Sequence, residues 1–297
     1  MYKFLLLMVT TGFICMSAGA QTRSLKKLKK EIVKSFGSQT GVFALAFKDM
    51  QTGETLFINE HEIFHAASTM KLPVLIEAYR QAAEGRFSLS DSVTIKNEFR
   101  SLADGSPFSL SPEDDSETDL YRHTGEKIPL TVLLYRMITQ SSNLATNIVM
   151  EKLGAGSVMT TVRGIGAYDT KVLRGVEDNK AYQMGLNNTT SAFDLAILCN
   201  KIAAGEAVNK QASEEMIHTL LAQEFNDIIP ARLPAGTKVA HKTGFITGIH
   251  HDAGIVFLPD GRNYVLVLLS KNLADDKGGV GLMADVSGII YKYLSRQ

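Results

Sequence analysis

Hydrophobic spacing changes period several times along the chain, and those changes divide it into elements. From Ser24 to Phe36, Leu25, Leu28, Ile32 and Val33 recur at helical spacing, with lysines on the solvated face. Gly41–Phe47 and Thr55–Ile58 then alternate as two strands around the turn Asp49-Met50-Gln51-Thr52-Gly53. Helical spacing returns at Ser68, with Leu72, Val74, Leu75 and Ala78 on one face. Phe87 to Lys127 is polar and interrupted by Pro107, Pro112 and the acidic run Glu113-Asp114-Asp115, and it reads as loop with short helices. Leu130–Met137 and Leu144–Leu153 are predicted helices, separated by Thr139-Gln140-Ser141-Ser142-Asn143. Val172–Asn188 has no clear period and is expected to be a long ordered loop. Thr189-Thr190-Ser191 caps a helix running to Ala204, and Ser213–Gln223 makes another.

The last third returns to strands. Lys238–Phe245, Asp252–Leu258 and Tyr264–Ser270 read as extended, the last two joined by Pro259-Asp260-Gly261-Arg262, and Gly281–Leu294 is a closing helix. Strands at both chain ends with helices between them imply an α+β protein. Its antiparallel sheet is built from both chain ends and flanked by helices, with an all-helical lobe inserted. The sheet lobe would take about 24–66 and 225–297, and the helical lobe about 67–224.

Composition adds limits. Of 297 residues, 45% are hydrophobic and 21% charged, enough for a substantial core. The 31 basic residues balance the 31 acidic ones, so no global field favours nucleic acid or an anionic membrane. At the N-terminus, Lys3 precedes the apolar run Phe4-Leu5-Leu6-Leu7-Met8-Val9, which continues through Phe13-Ile14-Cys15-Met16 to the small-residue site Ala18-Gly19-Ala20. That is the pattern of a secretory leader, residues 1–20, cleaved before Gln21, rather than of a membrane span. It places the mature chain, 21–297, outside the inner membrane, in a periplasm; the chain is expected to act as a monomer. Lipidation at Cys15 is disfavoured by Ile14 before it. Cleavage leaves Cys199 alone, in an apolar helical pattern, as a buried hydrophobe without a disulfide partner.

Candidate chemistry gathers around Ser68-Thr69-Met70-Lys71. A hydroxyl and an amine three residues apart share one helix face, so the amine comes within reach of the serine, as a lysine-activated nucleophile requires. Alone the motif is weak: about one Ser-x-x-Lys is expected by chance in a chain of this length, and Ser24-Leu25-Lys26-Lys27 is a second copy. Two further motifs follow in order. Ser141-Ser142-Asn143 sets a hydroxyl and an amide on a turn, and Lys242-Thr243-Gly244 lies in a strand, with Lys242 and Gly244 on one face and Thr243 on the other.

In type and order these three motifs resemble the penicillin-recognising serine hydrolases, and among them the class A β-lactamases. The likeness covers essentially the whole mature chain. Ser141 follows Ser68 by 73 residues, somewhat more than the family pattern, and Lys242 follows Ser141 by 101. The resemblance implies that Ser68 is the acylated nucleophile and Lys71 its neighbouring base, with a second cation, Lys242, lowering its pKa. Ser141 would relay a proton to the leaving nitrogen, Asn143 would contact the substrate amide, and Lys242 its carboxylate. The oxyanion would be held by backbone N–H groups of Ser68 and Phe245, and Thr243 would add a contact, although its side chain should face away. Glu177, 36 residues after Ser141 and preceded by Arg174, takes the position of the glutamate that activates the deacylating water. Two departures stand out: Ala181 replaces the asparagine expected after that glutamate, and Ser142 replaces an aspartate. No cofactor or metal is implied. The implied partner is a small β-lactam or an acyl-D-Ala-D-Ala-like molecule.

Other readings compete. A penicillin-binding D-Ala-D-Ala peptidase or a β-lactam sensor would keep the acylation residues and release the acyl group slowly. His61-Glu62-Ile63-Phe64-His65 matches a zinc protease signature, which on a helix would put both histidines on one face. His250-His251-Asp252 opens a strand and reads as edge-strand surface.

Overall fold

A computed structural model describes residues 13–295, with side chains from Leu25 onward. The first part of the expected leader, residues 1–12, lies outside the described residues, and the expected cleavage site falls within the backbone of helix α1 (Phe13–Phe36).

The sheet forms from both chain ends, as the pattern implies. A hairpin, β1 (Val42–Asp49) and β2 (Thr55–Ile58), meets three C-terminal strands, β3 (Lys238–Ile246), β4 (Ile249–Phe257) and β5 (Asn263–Lys271). The order is β2-β1-β5-β4-β3, antiparallel throughout. In its register Leu45 faces Leu268 on one side and Ile58 on the other. Because both faces are covered, the strands carry near-continuous apolar runs rather than strict alternation. Phe43, Leu45, Phe47, Tyr264, Leu266 and Leu268 pack against Leu28 and Ile32 of α1 and against the closing helix. Ala44, Ala46, Ala253, Val265 and Val267 face the other way, into the larger core shared with the central helices.

Those helices are α2 (Lys71–Ala83), α3 (Leu130–Thr139), α4 (Asn143–Leu153), α5 (Ala155–Ile165), α6 (Ala192–Ala203) and α7 (Lys210–Leu221); α8 (Asp276–Leu294) closes the chain. Small residues Ala44 and Ala46 leave room for α6, which lies directly against β1, β4 and β5. Side chains of Ser142, Ser191 and Asn209 cap α4, α6 and α7 by accepting the first free N–H groups.

Several expectations need correction. Helix α5 was not anticipated, because Gly156 and Gly164 interrupt its pattern, yet Val158 and Val162 bury one face. The polar 87–127 stretch holds two small strand pairs as well as short helices: Ser92–Thr94 with Lys127–Pro129, and Phe99–Arg100 with Pro107–Phe108. The 172–188 loop contains one short helix, Asn179–Gln183. His251 and Asp252 are not edge-strand surface. Strand β4 has a neighbour on each side, and both residues are fully buried. Cys199 is buried as expected, and burial pushes its thiol up to about 12.

Candidate active site

The nucleophile candidate sits where β3 meets the start of α2. Ala67–Met70 form a turn of 3-10 helix that runs straight into α2, so Ser68 lies in the first turn, where backbone N–H groups lack helical partners. Ala67 before it has φ of +44°, in the left-handed region. His65 supports this kink, since its Nδ1 accepts the Ala67 N–H at 3.1 Å. Behind it, fully buried His251 donates from Nε2 to the carbonyl oxygen of His65 at 2.8 Å. Burial lowers the His251 pKa to about 4, which keeps that ring neutral.

Gly244 explains how closely the strand approaches. A Cβ there would stand 3.1 Å from the Thr69 nitrogen and 3.2 Å from that of Ser68. Only a residue without a side chain lets β3 lie against the nucleophile turn, and this is the physical content of the glycine in Lys-Thr-Gly. Phe245 follows directly and is 62% exposed at the cleft.

Lys71 and Lys242 are both fully buried, behind Ser141. Lys71 Nζ donates to Ser141 O at 2.6 Å, Ser141 Oγ at 3.2 Å and Asn143 Oδ1 at 2.9 Å. These three contacts hold the amine against the Ser141–Asn143 turn. Lys242 Nζ donates to the same Ser141 hydroxyl at 3.1 Å and to the Thr243 carbonyl at 2.9 Å. Ser141 carries φ of +57°. That strained turn, worth about 1–2 kcal/mol for a non-glycine residue, aims its carbonyl at Lys71.

Burial is the main cause that lowers the Lys71 pKa to about 7, while Asp115 and Glu177 act in the opposite sense. Lys242 is lowered well below its ordinary value by burial first and then by the Lys71 charge, with Asp252 opposing. The sequence reading assigned the shift in Lys71 to a second cation; desolvation takes that role instead.

Glu177 reaches the same place from the 172–188 loop, again with a left-handed backbone, φ +58°. Asn143 bridges to it: Oδ1 takes the Lys71 bond, and Nδ2 donates to Glu177 Oε1 at 3.4 Å. Part of Glu177 opens to the cleft, but the protein around its carboxyl and the nearby Asp114 raise its pKa against the pull of Lys71 and Arg174. The loop is pinned by Asp178, whose buried carboxylate accepts from Ser101 Oγ at 2.8 Å, Leu102 N at 2.7 Å and Ala181 N at 3.1 Å. Ala181 is fully buried and turns a methyl inward, with no amide to hold a water.

The cleft has two adjoining lobes that share Ser68, Asn143 and Phe245. One, of about 370 Å³, is bordered also by His65, Glu177 and Tyr182; the other, of about 530 Å³, by Ser141, Thr243 and His250. Thr243 lines this second lobe even though strand alternation separates it from Lys242, because β3 is the edge strand and its open edge borders the cavity.

The zinc arrangement does not form. Residues 61–63 are not helical and Phe64–His65 are extended, so the two histidines share no helix face. His61 binds Asp169 at 2.8 Å and Glu62 pairs with Lys271. Among the described residues no group of three or more His, Cys, Asp or Glu side chains gathers as metal ligands would.

Sequence reasoning missed Asp115, Asp178 and His65. Each supports or adjoins a turn with left-handed backbone: among the described residues five non-glycine positions have positive φ, and three of them, Ala67 (beside His65), Ser141 (two residues before Asn143, which Asp115 holds) and Glu177 (next to Asp178), border the cleft. The other two are asparagines, which tolerate that conformation.

The fold is shared with known proteins. The profile of the Beta-lactamase enzyme family matches residues 26–294, and the chain belongs to that family. It is similar to the extended-spectrum β-lactamase PER-1 of Pseudomonas aeruginosa, at 25% identity over 97% of this chain and 92% of that protein. The solved structure of PBP-A superposes with a TM-score of 0.77 at 27% identity, covering 93% of this chain and 97% of PBP-A, and a variant of PBP-A has been solved as an acyl-enzyme with penicillin G. A β-lactamase from Chitinophaga pinensis DSM 2588 shares the fold, with a TM-score of 0.79 at 22% identity over 90% of this chain and 99% of that one.

Proposed function

We propose that the protein is a serine β-lactamase that opens the lactam amide through an acyl-enzyme on Ser68. The observation that carries this reading is the buried Lys71 amine, lowered to about 7 and fixed by Ser141 and Asn143 beside the Ser68 turn. In its neutral form Lys71 takes the Ser68 proton as Oγ attacks the lactam carbonyl. Backbone N–H groups of Ser68 and Phe245 hold the oxyanion. Ser141, bonded to both lysines, returns a proton to the leaving nitrogen, so Lys242 acts on the substrate carboxylate end through that hydroxyl. Asn143 contacts the substrate amide and Thr243 adds a polar contact. Glu177 then activates water to release the acyl group. An exported protein with its leader removed after Ala20, acting as a monomer in a periplasm, fits this role. Among the described residues no helix is long and apolar enough to cross a membrane.

The slow-release alternative has two observations in its favour. Ala181 gives Glu177 no amide partner for water, and PBP-A, of similar sequence, has given an acyl-enzyme with penicillin G in a variant form. Steady-state hydrolysis of a chromogenic cephalosporin separates the two. Sustained turnover supports the lactamase; a single stoichiometric burst followed by no turnover contradicts it and favours a penicillin-binding peptidase or sensor.

A further inference from the structure

Asp115 comes from the polar 87–127 stretch between Ser68 and Ser141, and it is buried. Its carboxylate accepts the Asn143 N–H at 2.9 Å to each oxygen, the Leu144 N–H at 2.9 Å and the Tyr121 hydroxyl at 2.9 Å. Asn143 and Leu144 open α4, where N–H groups have no helical partner. Ser142, where an aspartate was expected, caps only the next N–H, that of Ala145, at 3.2 Å. The turn therefore has a carboxylate, delivered from another loop.

We propose that Asp115 is a positioning residue for acylation, fixing the Ser141–Asn143 turn against Lys71 and supplying the negative charge that governs the proton on that amine. The proposal rests on Lys71 acting as the base. The charged groups facing Lys71 are Asp115 from the polar stretch, Glu177 from its loop and Lys242 from β3, with Asp252 behind Lys242. The two acids favour the ammonium, and Asp115 is the nearest of the three facing groups to the capped turn that holds Asn143. A hydrogen-bonded carboxylate at a helix start also holds that end in place.

Removing the charge while keeping an acceptor separates the two parts of the role. Asp115→Asn and Asp115→Ser both do this, and either one folded is sufficient. The readout is the pre-steady-state burst of a chromogenic cephalosporin against pH. Its acid limb is a position rather than an amplitude, so partial unfolding of a preparation does not move it. Without the carboxylate the ammonium is less favoured, so the limb moves to lower pH, by about half a unit or more. The acylation rate on the plateau falls about tenfold as the turn loosens. An acid limb unmoved from wild type in both variants, with or without a slower burst, overturns the proposal and leaves Asp115 as a helix cap. A wild-type protein that shows neither a burst nor steady turnover would instead sink the underlying reading of Ser68 and Lys71, and where turnover comes without a burst the acid limb of kcat/KM, which also reports acylation, takes the place of the burst.

Discussion

Lys71 and Lys242 share one hydroxyl: the Oγ of Ser141 stands 3.2 Å from the first amine and 3.1 Å from the second. Two buried amines on one serine cannot both carry full charge cheaply, so one proton among them is held loosely. This is what a relay to a leaving group needs. The site thus stores its basicity in burial and spends it through Ser141.

The first prediction concerns pH. Lys71 titrates at about 7, below the ordinary lysine value, so its neutral, basic form is present above that pH and is lost as pH falls through it. Acylation should therefore decline below pH 7 by about tenfold per unit. Measured kcat/KM for a chromogenic substrate checks this; a rate flat down to pH 5 would remove Lys71 from the role of base.

A second prediction separates the two halves of the reaction. The raised pKa of Glu177 means that its carboxylate, the form able to activate water, is lost at a higher pH than for an ordinary glutamate. Glu177→Gln should slow deacylation by roughly 100-fold or more while the burst survives. Mass spectrometry of the trapped adduct is the check, and release at the wild-type rate would make Glu177 a bystander.

Gly244→Ala tests the close approach of β3. The added methyl would lie 3.1 Å and 3.2 Å from the Thr69 and Ser68 nitrogens, so the nucleophile turn would have to give by a few tenths of an ångström. Acylation should fall about 10- to 100-fold through displacement of the nucleophile turn. Folding should persist, with the far-UV spectrum unchanged; an unaltered burst rate would mean that the turn has room to move.

Asp178 and Ser101 provide a test of the loop that carries Glu177. Asp178→Ala removes acceptors for Ser101, Leu102 and Ala181 and should lower stability by about 1–3 kcal/mol. Deacylation should slow more than acylation, because the loop carries Glu177 itself but meets Lys71 only through the Glu177 charge and the Asn143 bridge. Equal losses in both steps would contradict that division.

What the sequence made legible followed from local physics. The hairpin, the three C-terminal strands and most helices announced themselves by period, because each buries a face of fixed spacing. Ser68, Lys71, Ser141, Asn143 and Lys242 were recognisable because their order along the chain survives folding. Asp115 was not, because a carboxylate that caps α4 from a loop 28 residues away leaves no pattern in either segment. His251 and Asp252 were misread because polarity suggests surface, whereas partners inside the fold (the His65 carbonyl for one, His241 and the Ile229 N–H for the other) make burial tolerable. The zinc signature failed for a related reason: its meaning depends on helical geometry, and the segment is extended where His65 lies.

The central claim is that Ser68 carries a transient acyl group. The most direct measurement is intact-protein mass spectrometry of wild type, Ser68→Ala and Glu177→Gln, quenched at intervals after mixing with a penicillin. The account predicts a short-lived adduct in wild type, a persistent one in Glu177→Gln that peptide mapping assigns to Ser68, and none in Ser68→Ala. An adduct on another residue, or undiminished hydrolysis by Ser68→Ala, would contradict it.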